Sequence, residues 1–337
     1  MSDAQPCSVT PDASLVPFPR RWPRRVLLAA GASLAALPAR AQDALPRTIT
    51  LMVPFSAGSI VDLTARAFAD PLRSALGGDV QVVVVNREVA AGTIAATAVA
   101  RARPDGATLG FGPIGILATQ PHLMRDLGYT LADFDLLCQT FENIFVLAVR
   151  ADSPHATLPA LLAAARAAPE RISWGDAGIG TIPNLLMREI ERTAGVRMTY
   201  APYRNIGQMA TDAQAGTIDV AISAWTSLRN MGLRFLAVAA DERLPYLEGV
   251  PTLAELGFRV AARGFGGLWA PRGMAPGLKA RIEAACMSAA ADAGYQAFSA
   301  RSGQLAVPLG SEPFSRRIRE TEPVLAALVR ALEIGAR

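Results

Sequence analysis

The chain has 337 residues, 51% hydrophobic and 18% charged, with a formal charge of +4. That length predicts about two domains, and the composition excludes a disordered chain. Most of the positive excess lies in the first 41 residues, where Arg20, Arg21, Arg24, Arg25 and Arg40 outnumber Asp3 and Asp12. The charge is therefore no argument for nucleic acid, and no basic stripe with interleaved aromatics occurs.

The N-terminus reads as an export signal. A basic stretch precedes the apolar run Val26 to Pro38, and the small-residue site Ala39-Arg40-Ala41 follows. The run is too short to span a bilayer, which needs about 20 residues. Arg24-Arg25 before Val-Leu-Leu also fits a twin-arginine signal. Cleavage after Ala41 and a periplasmic destination are expected. No later stretch offers about 18 uncharged apolar residues, so the mature protein is expected to be soluble.

Beyond the signal, strands and helices alternate. "TITLMVPF" (48–55), "VQVVVVN" (80–86) and "ATLGFG" (107–112) predict buried strands, being short, β-branched and bounded by Gly, Pro or Asn. Further strands are expected near 145–150, 171–175, 197–201, 218–223, 234–240 and 265–270. Helical spacing covers 60–76, 91–103, 115–125, 157–168, 182–194, 206–216, 276–292 and 312–334. Such alternation implies mainly parallel sheets with helices on both faces. Two lobes suit the length: 42–147 with 267–337, and 148–266, with hinges near 147–150 and 262–267. Cys138 and Cys286 could pair in an oxidising compartment. Both lie in apolar runs, and two buried free thiols are the favoured reading.

Three loops run from a strand into a helix. In "VPFSAGSIVDLTAR" (53–66), Phe55, Ser56, Ala57, Gly58 and Ser59 lie at the carboxyl edge of a strand. Open α/β sheets bind ligands at that edge. A helix start presents unpaired N–H groups and partial positive charge, and small residues let an anion approach them. "WGDAGIGTIPNLLMREI" (174–190) repeats the device with Gly178, Gly180, Thr181 and Asn184, and Tyr203, Arg204 and Asn205 precede a third helix. The competing reading is ordinary capping by Ser and Thr. "GFGPIG" (110–115) fits a dinucleotide fingerprint, but Pro113 removes an amide from it. As a cleft loop it contributes Gly112 and Pro113. Catalytic patterns are thin: no G-x-S-x-G, no H-E-x-x-H and no Walker lysine occurs. His122 and His155 read as surface or loop residues, and Trp174, Trp225 and Trp269 as core residues.

Seven stretches occur in an order that resembles one family: "PRTITLMVPFSAGSIVDLTARAFADPL", "VVVNREVAAGTIAATAVARARPDGATLGFG", "GDAGIGTIPNLL", "YAPYRN", "GTIDVAIS", "GVPTLAELGF" and "GLWAPRGMAP". Together they resemble the Bug family, extracytoplasmic solute-binding proteins of tripartite tricarboxylate transporters. The resemblance implies a type II periplasmic-binding-protein fold that closes on a small ligand, commonly a carboxylate. It implies that backbone amides of the 55–59 loop, facing Gly178, Gly180 and Thr181, hold the carboxyl with ordered water. Departures from the family pattern include Ser59, Glu88 to Ala91, Asn184 and Arg204-Asn205. Ser223-Ala224 stands where Asp-Asn is common, which implies a preference away from ligands carrying an ammonium group.

The expectation is thus a monomeric binding protein for a small organic anion, partnered by membrane transporter subunits, with no cofactor, metal, nucleic acid or catalysis. A nucleotide-dependent enzyme on a similar fold, or a solute sensor without transport, are the alternatives.

Overall fold

The computed structural model describes residues 44–77, 79–88, 92–124, 126–240, 242–258 and 263–332. The expected signal segment and the departure at 89–91 lie outside the described residues, as do 259–262 of the return crossing.

The first strand, β1 (Thr48–Val53), alternates buried and half-buried residues. It leads through the 54–59 loop into α1 (Ile60–Leu76), whose Val61, Ala65, Phe68, Leu72 and Leu76 recur at helical spacing and face the core. Then follow β2 (Gln81–Asn86), α2 (Thr93–Ala100), β3 (Thr108–Pro113) and two short helices, α3 (Gly115–Ala118) and α4 (Gln120–Leu123). The single helix expected over 115–125 is divided at Thr119, immediately ahead of Gln120-Pro121.

Two strands escaped the sequence reading, β4 (Phe134–Asn143) and, late in the chain, β11 (Leu305–Leu309). The chain passes from β4 through Ile144 directly into β5 (Phe145–Arg150). The second sheet is completed by β6 (Ser173–Asp176), β7 (Thr199–Pro202), β8 (Val220–Ala224) and β9 (Leu233–Ala239). Helices α5 (Leu158–Ala167), α6 (Ile182–Ala194), α7 (Ile206–Ala215) and the single turn α8 (Trp225–Leu228) lie between its strands. The return strand β10 (Gly264–Pro271) precedes α9 (Pro276–Ala290), α10 (Ala293–Ser302) and α11 (Ser311–Ala331).

The strand orders are β11-β4-β10-β3-β1-β2 and β7-β6-β8-β5-β9. The sheets are mixed, not mainly parallel. β1 pairs in parallel with β2 and β3, but β10 runs antiparallel to β3 and β4, and β5 antiparallel to β8 and β9. The cause is the crossing: β4, β5 and β10 carry the chain between the sheets, so no crossover helix sets their direction. One apolar cluster links the sheets, joining Ile114, Ile116 and Leu117 to Leu147, Trp174 and Ile182. Trp174 and Trp269 are fully buried in it, as expected.

Cys138 and Cys286 form a disulfide, which corrects the expectation of two free thiols. Helix α9 lies against β4 and brings the two Cα atoms to 6.4 Å, within bridging range. Since the bridge encloses a loop of 148 residues, chain entropy assigns it a large effect. The double substitution Cys138→Ala, Cys286→Ala is expected to lower the unfolding free energy by about 2–5 kcal/mol. Denaturant titration, with wild type under reducing conditions as the parallel case, checks this.

Candidate functional site

The 54–59 loop is bare in side chains, yet it is held from behind. Asp62, 2% exposed in the first turn of α1, accepts from the Gly58 amide at 2.8 Å. It also accepts from Arg66 Nε at 3.0 and 3.1 Å and from Asn86 Nδ2 at 2.9 Å. The same Asn86 amide donates to the Phe55 carbonyl at 2.9 Å, so the end of β2 pins the end of β1. Burial alone would raise the Asp62 pKa; the bonds from Arg66, Gly58 and Asn86 outweigh it and hold the carboxyl below its ordinary value. Gly58 sits at φ 79°, the left-handed region open to glycine. Ser59 caps the helix, its Oγ accepting from the Asp62 amide at 3.3 Å. What remains are the amides of Ile60 and Val61, which α-helix geometry leaves without an intrahelical acceptor. Both residues line a cleft between the two sheets.

That cleft has a volume of about 420 Å³, within the range of small-molecule sites. Of the residues singled out in the sequence, Phe55, Ser56, Ala57, Gly58, Ser59, Pro113, Thr181 and Ser223 line it. Gly112, Gly178, Gly180, Asn184 and Tyr203 do not. Gly112 is buried in β3, where a Cβ would stand 2.9 Å from Pro54. Gly110 lies tighter still beneath Trp269, so these two glycines of "GFGPIG" serve packing, while the third, Gly115, lines the cleft.

Three amides of the Gly-rich loop of the second lobe are engaged within the loop and its helix. The Gly178 amide donates to Asp176 Oδ1 at 2.7 Å and the Gly180 amide to Asn184 Oδ1 at 3.2 Å. The Thr181 amide turns back to the Gly178 carbonyl at 3.3 Å. Thr181 Oγ1 accepts from the Asn184 amide, and Pro183 has none, so α6 offers the cleft only the Ile182 amide. The loop instead joins the lobes. Gln120 Nε2 donates to the Ile179 carbonyl at 3.2 Å, and a Cβ on Gly180 would meet Leu123 at 1.9 Å.

The next helix start takes up the role. Arg204, Asn205, Ile206 and Gly207 all line the cleft. Asn205 Oδ1 caps the Gln208 amide at 3.1 Å, leaving those of Ile206 and Gly207 without an intrahelical acceptor. Tyr203 points away, its hydroxyl donating to Asp212 at 2.8 Å. Arg204 is exposed and, among the described residues, pairs with no carboxylate and is the one charged side chain lining the cleft. A cation at a helix N-terminus is unfavourable by itself, and an anion between them relieves both. The sequence signal for these residues was the strand–Arg-Asn–helix transition in "YAPYRNIGQ".

His122 pairs with Glu322 of α11, and His155 sits in a loop before α5; neither lines the cleft. Among the described residues no cluster suits a metal ion, and no helix is long and apolar enough to cross a membrane.

Two α/β lobes joined by crossing strands, with helix starts from each turned into the cleft between them, define a solute-binding protein of the periplasmic type. The profile of the TctC family, described as "Tripartite tricarboxylate transporter family receptor", matches residues 64–333, and the chain belongs to that family. The UPF0065 protein from the tcbD-tcbE intergenic region of a Pseudomonas species is 34% identical, over 77% of this chain and 80% of that one. The periplasmic binding protein BugD superposes with a TM-score of 0.77 at 25% identity, over 85% of this chain and 98% of that one. MatC from Rhodopseudomonas palustris, solved with bound malate, gives 0.71 at 25% identity, over 86% and 99%.

Two predictions follow the geometry. Asp62→Ala frees the loop from Arg66 and Asn86 and is expected to cost about 1.5–3 kcal/mol of stability near neutral pH. The difference from wild type should shrink as pH falls through the lowered carboxyl pKa, because the contribution needs the ionised form. Asp176 behaves oppositely. Burial pushes its pKa up to about 6, against the bonds from Gly178 and Tyr200 and the Arg188 charge. A raised carboxyl stabilises most below its ordinary 3.8, and the contribution is lost as pH rises through about 6. Wild type should therefore lose stability relative to Asp176→Asn between about pH 4 and pH 6, with no further loss at higher pH. Parallel melting curves across that range would exclude the effect.

Proposed function

We propose that the protein captures a small organic carboxylate, without an ammonium group, in the interlobe cleft. The observation that carries this reading is the wall of the cleft. The starts of α1 and α7, from opposite lobes, line it with residues whose amides have no intrahelical acceptor, Arg204 adds a cation, and among the described residues no acidic side chain lines it. Such a site replaces the hydration shell of an anion, through charge-assisted bonds of about 1.5–3 kcal/mol each. An ammonium group would be desolvated there with no counter-charge. The bound malate of MatC, at comparable fold and 25% identity, supports the same class.

In this proposal the chain is exported, cleaved after Ala41, and works in the periplasm. The ligand shifts an open–closed equilibrium, and the closed form is what the membrane subunits of a tripartite transporter recognise. The moving bodies are the two sheets with their helices, divided ahead of β5 and ahead of β10 rather than within those strands as the boundaries 147/148 and 266/267 would have it. Bending belongs where β4 passes into β5 and where the chain returns ahead of β10. No step of bond making or breaking is assigned.

Native mass spectrometry of the purified protein is expected to show a co-purified acid, and calorimetry a response to members of a carboxylate panel. Arg204→Gln should weaken carboxylate binding about tenfold and flatten its dependence on salt. A flat response to every carboxylate, alongside a clear one to a neutral sugar or vitamin, overturns the reading.

A further inference from the structure

The floor of the cleft is polar but uncharged. Asn143 ends β4, lines the cleft and is 5% exposed. One end of its carboxamide is already engaged: Gln304 Nε2 donates to Asn143 Oδ1 at 2.9 Å. Gln304 Oε1 in turn accepts from Thr64 Oγ1 of α1 at 2.9 Å. Gln304 and Thr64 are buried at 3% and 0%, so this chain of amides and hydroxyl lies out of water. The Asn143 NH2 is left at the cleft with no partner among the described residues.

Ser223 of β8 faces the same space. It too lines the cleft at 5% exposed, and its hydroxyl has no partner among the described residues. Phe145 pairs with Ala224, and the Trp225 amide donates to the Ile144 carbonyl at 2.8 Å, which brings Asn143 beside the Ser223–Thr226 stretch. Thr226, also lining the cleft, has a buried Oγ1 without a partner. Three neutral polar groups thus converge where the two lobes cross, and Arg204, the cation, stands on the α7 wall.

Buried donors and acceptors of this kind are costly unless the ligand completes them. A plain hydrocarbon would leave them unpaired. A second carboxylate would be buried against them with no counter-charge. We propose that Asn143 and Ser223 read a neutral oxygen, hydroxyl or keto, on the carbon chain of the bound acid. Gln304 and Thr64 are positioning residues that hold the Asn143 amide in one orientation. The inference rests on the carboxylate reading above and narrows it to hydroxy and oxo acids. A site built to bond an oxygen rejects the analogue that lacks it, whereas an apolar pocket discriminates weakly.

The test is calorimetry of the purified protein with two matched pairs, malate against succinate and mandelate against phenylacetate, each differing by one hydroxyl. In at least one pair the hydroxy acid is expected to bind about tenfold tighter or more. Asn143→Ala and Ser223→Ala should each reduce that ratio below about threefold, and Ser223→Thr, which keeps a hydroxyl, should retain it. Gln304→Ala should lower the ratio although Gln304 does not line the cleft. Thermal melts verify that each variant folds. Ser223→Ala deletes only an unpartnered hydroxyl and carries the test if Asn143→Ala does not fold. A ratio near one in wild type, in every pair that binds, overturns this inference and leaves the carboxylate reading standing. A ratio unchanged in the folded variants does the same. Failure of all four acids to bind, while other members of the carboxylate panel bind, overturns this inference alone; a flat response to the whole panel overturns both.

Discussion

The cleft depends on one buried carboxylate. Asp62 gathers the Gly58 amide, the Arg66 guanidinium and the Asn86 amide behind the first loop. This explains how a stretch as bare as Ser-Ala-Gly-Ser holds a shape. Its own side chains are too small to pack, so the loop is stiffened from the third residue beyond it. The charge also lies in the first turn of α1, where it is favourable to the helix dipole. Because the bonds to Asp62 lie on the inner side, the amides of Ile60 and Val61 stay available to the cleft.

The second lobe shows that a glycine-rich loop and an anion site are different things. Small residues permit close approach, but what approaches is decided by the neighbours. At Gly180 it is Leu123 from the other lobe, and the amides nearby are closed off by Asp176, Asn184 and a turn. At α7 the cap comes from Asn205 and satisfies only the third amide of the helix, so two others remain open. Arg204 beside them is a cation at a helix start, a repulsion that negative charge between them would relieve. The three polar groups at the crossing strands add selectivity of another kind, from neutral hydrogen bonds out of water.

Some of this was legible in the chain. The run from β1 through 54–59 into α1 announced itself by a β-branched stretch, a break of small residues and helical spacing. The Arg-Asn step before α7 was visible too, although its amides drew less weight than the glycines of 178–180. β4 was missed because it is buried along its whole length and shows no alternation. β11, five residues of which the fourth is Pro308, looked like a loop and is an edge strand, where proline is tolerated. The disulfide was misread because apolar flanks describe burial equally well for free and paired cysteines.

Most of the order of strands and helices, the family resemblance and the small-residue helix starts were determined by the sequence alone, because periodicity, capping and motif order are local. Which starts face the cleft, which amides are spent inside their own loop, and which polar side chain at a strand end finds Gln304 behind it were decided by tertiary structure. These are questions of distance between residues far apart in the chain, such as Thr64, Asn143 and Gln304, and no local pattern encodes them.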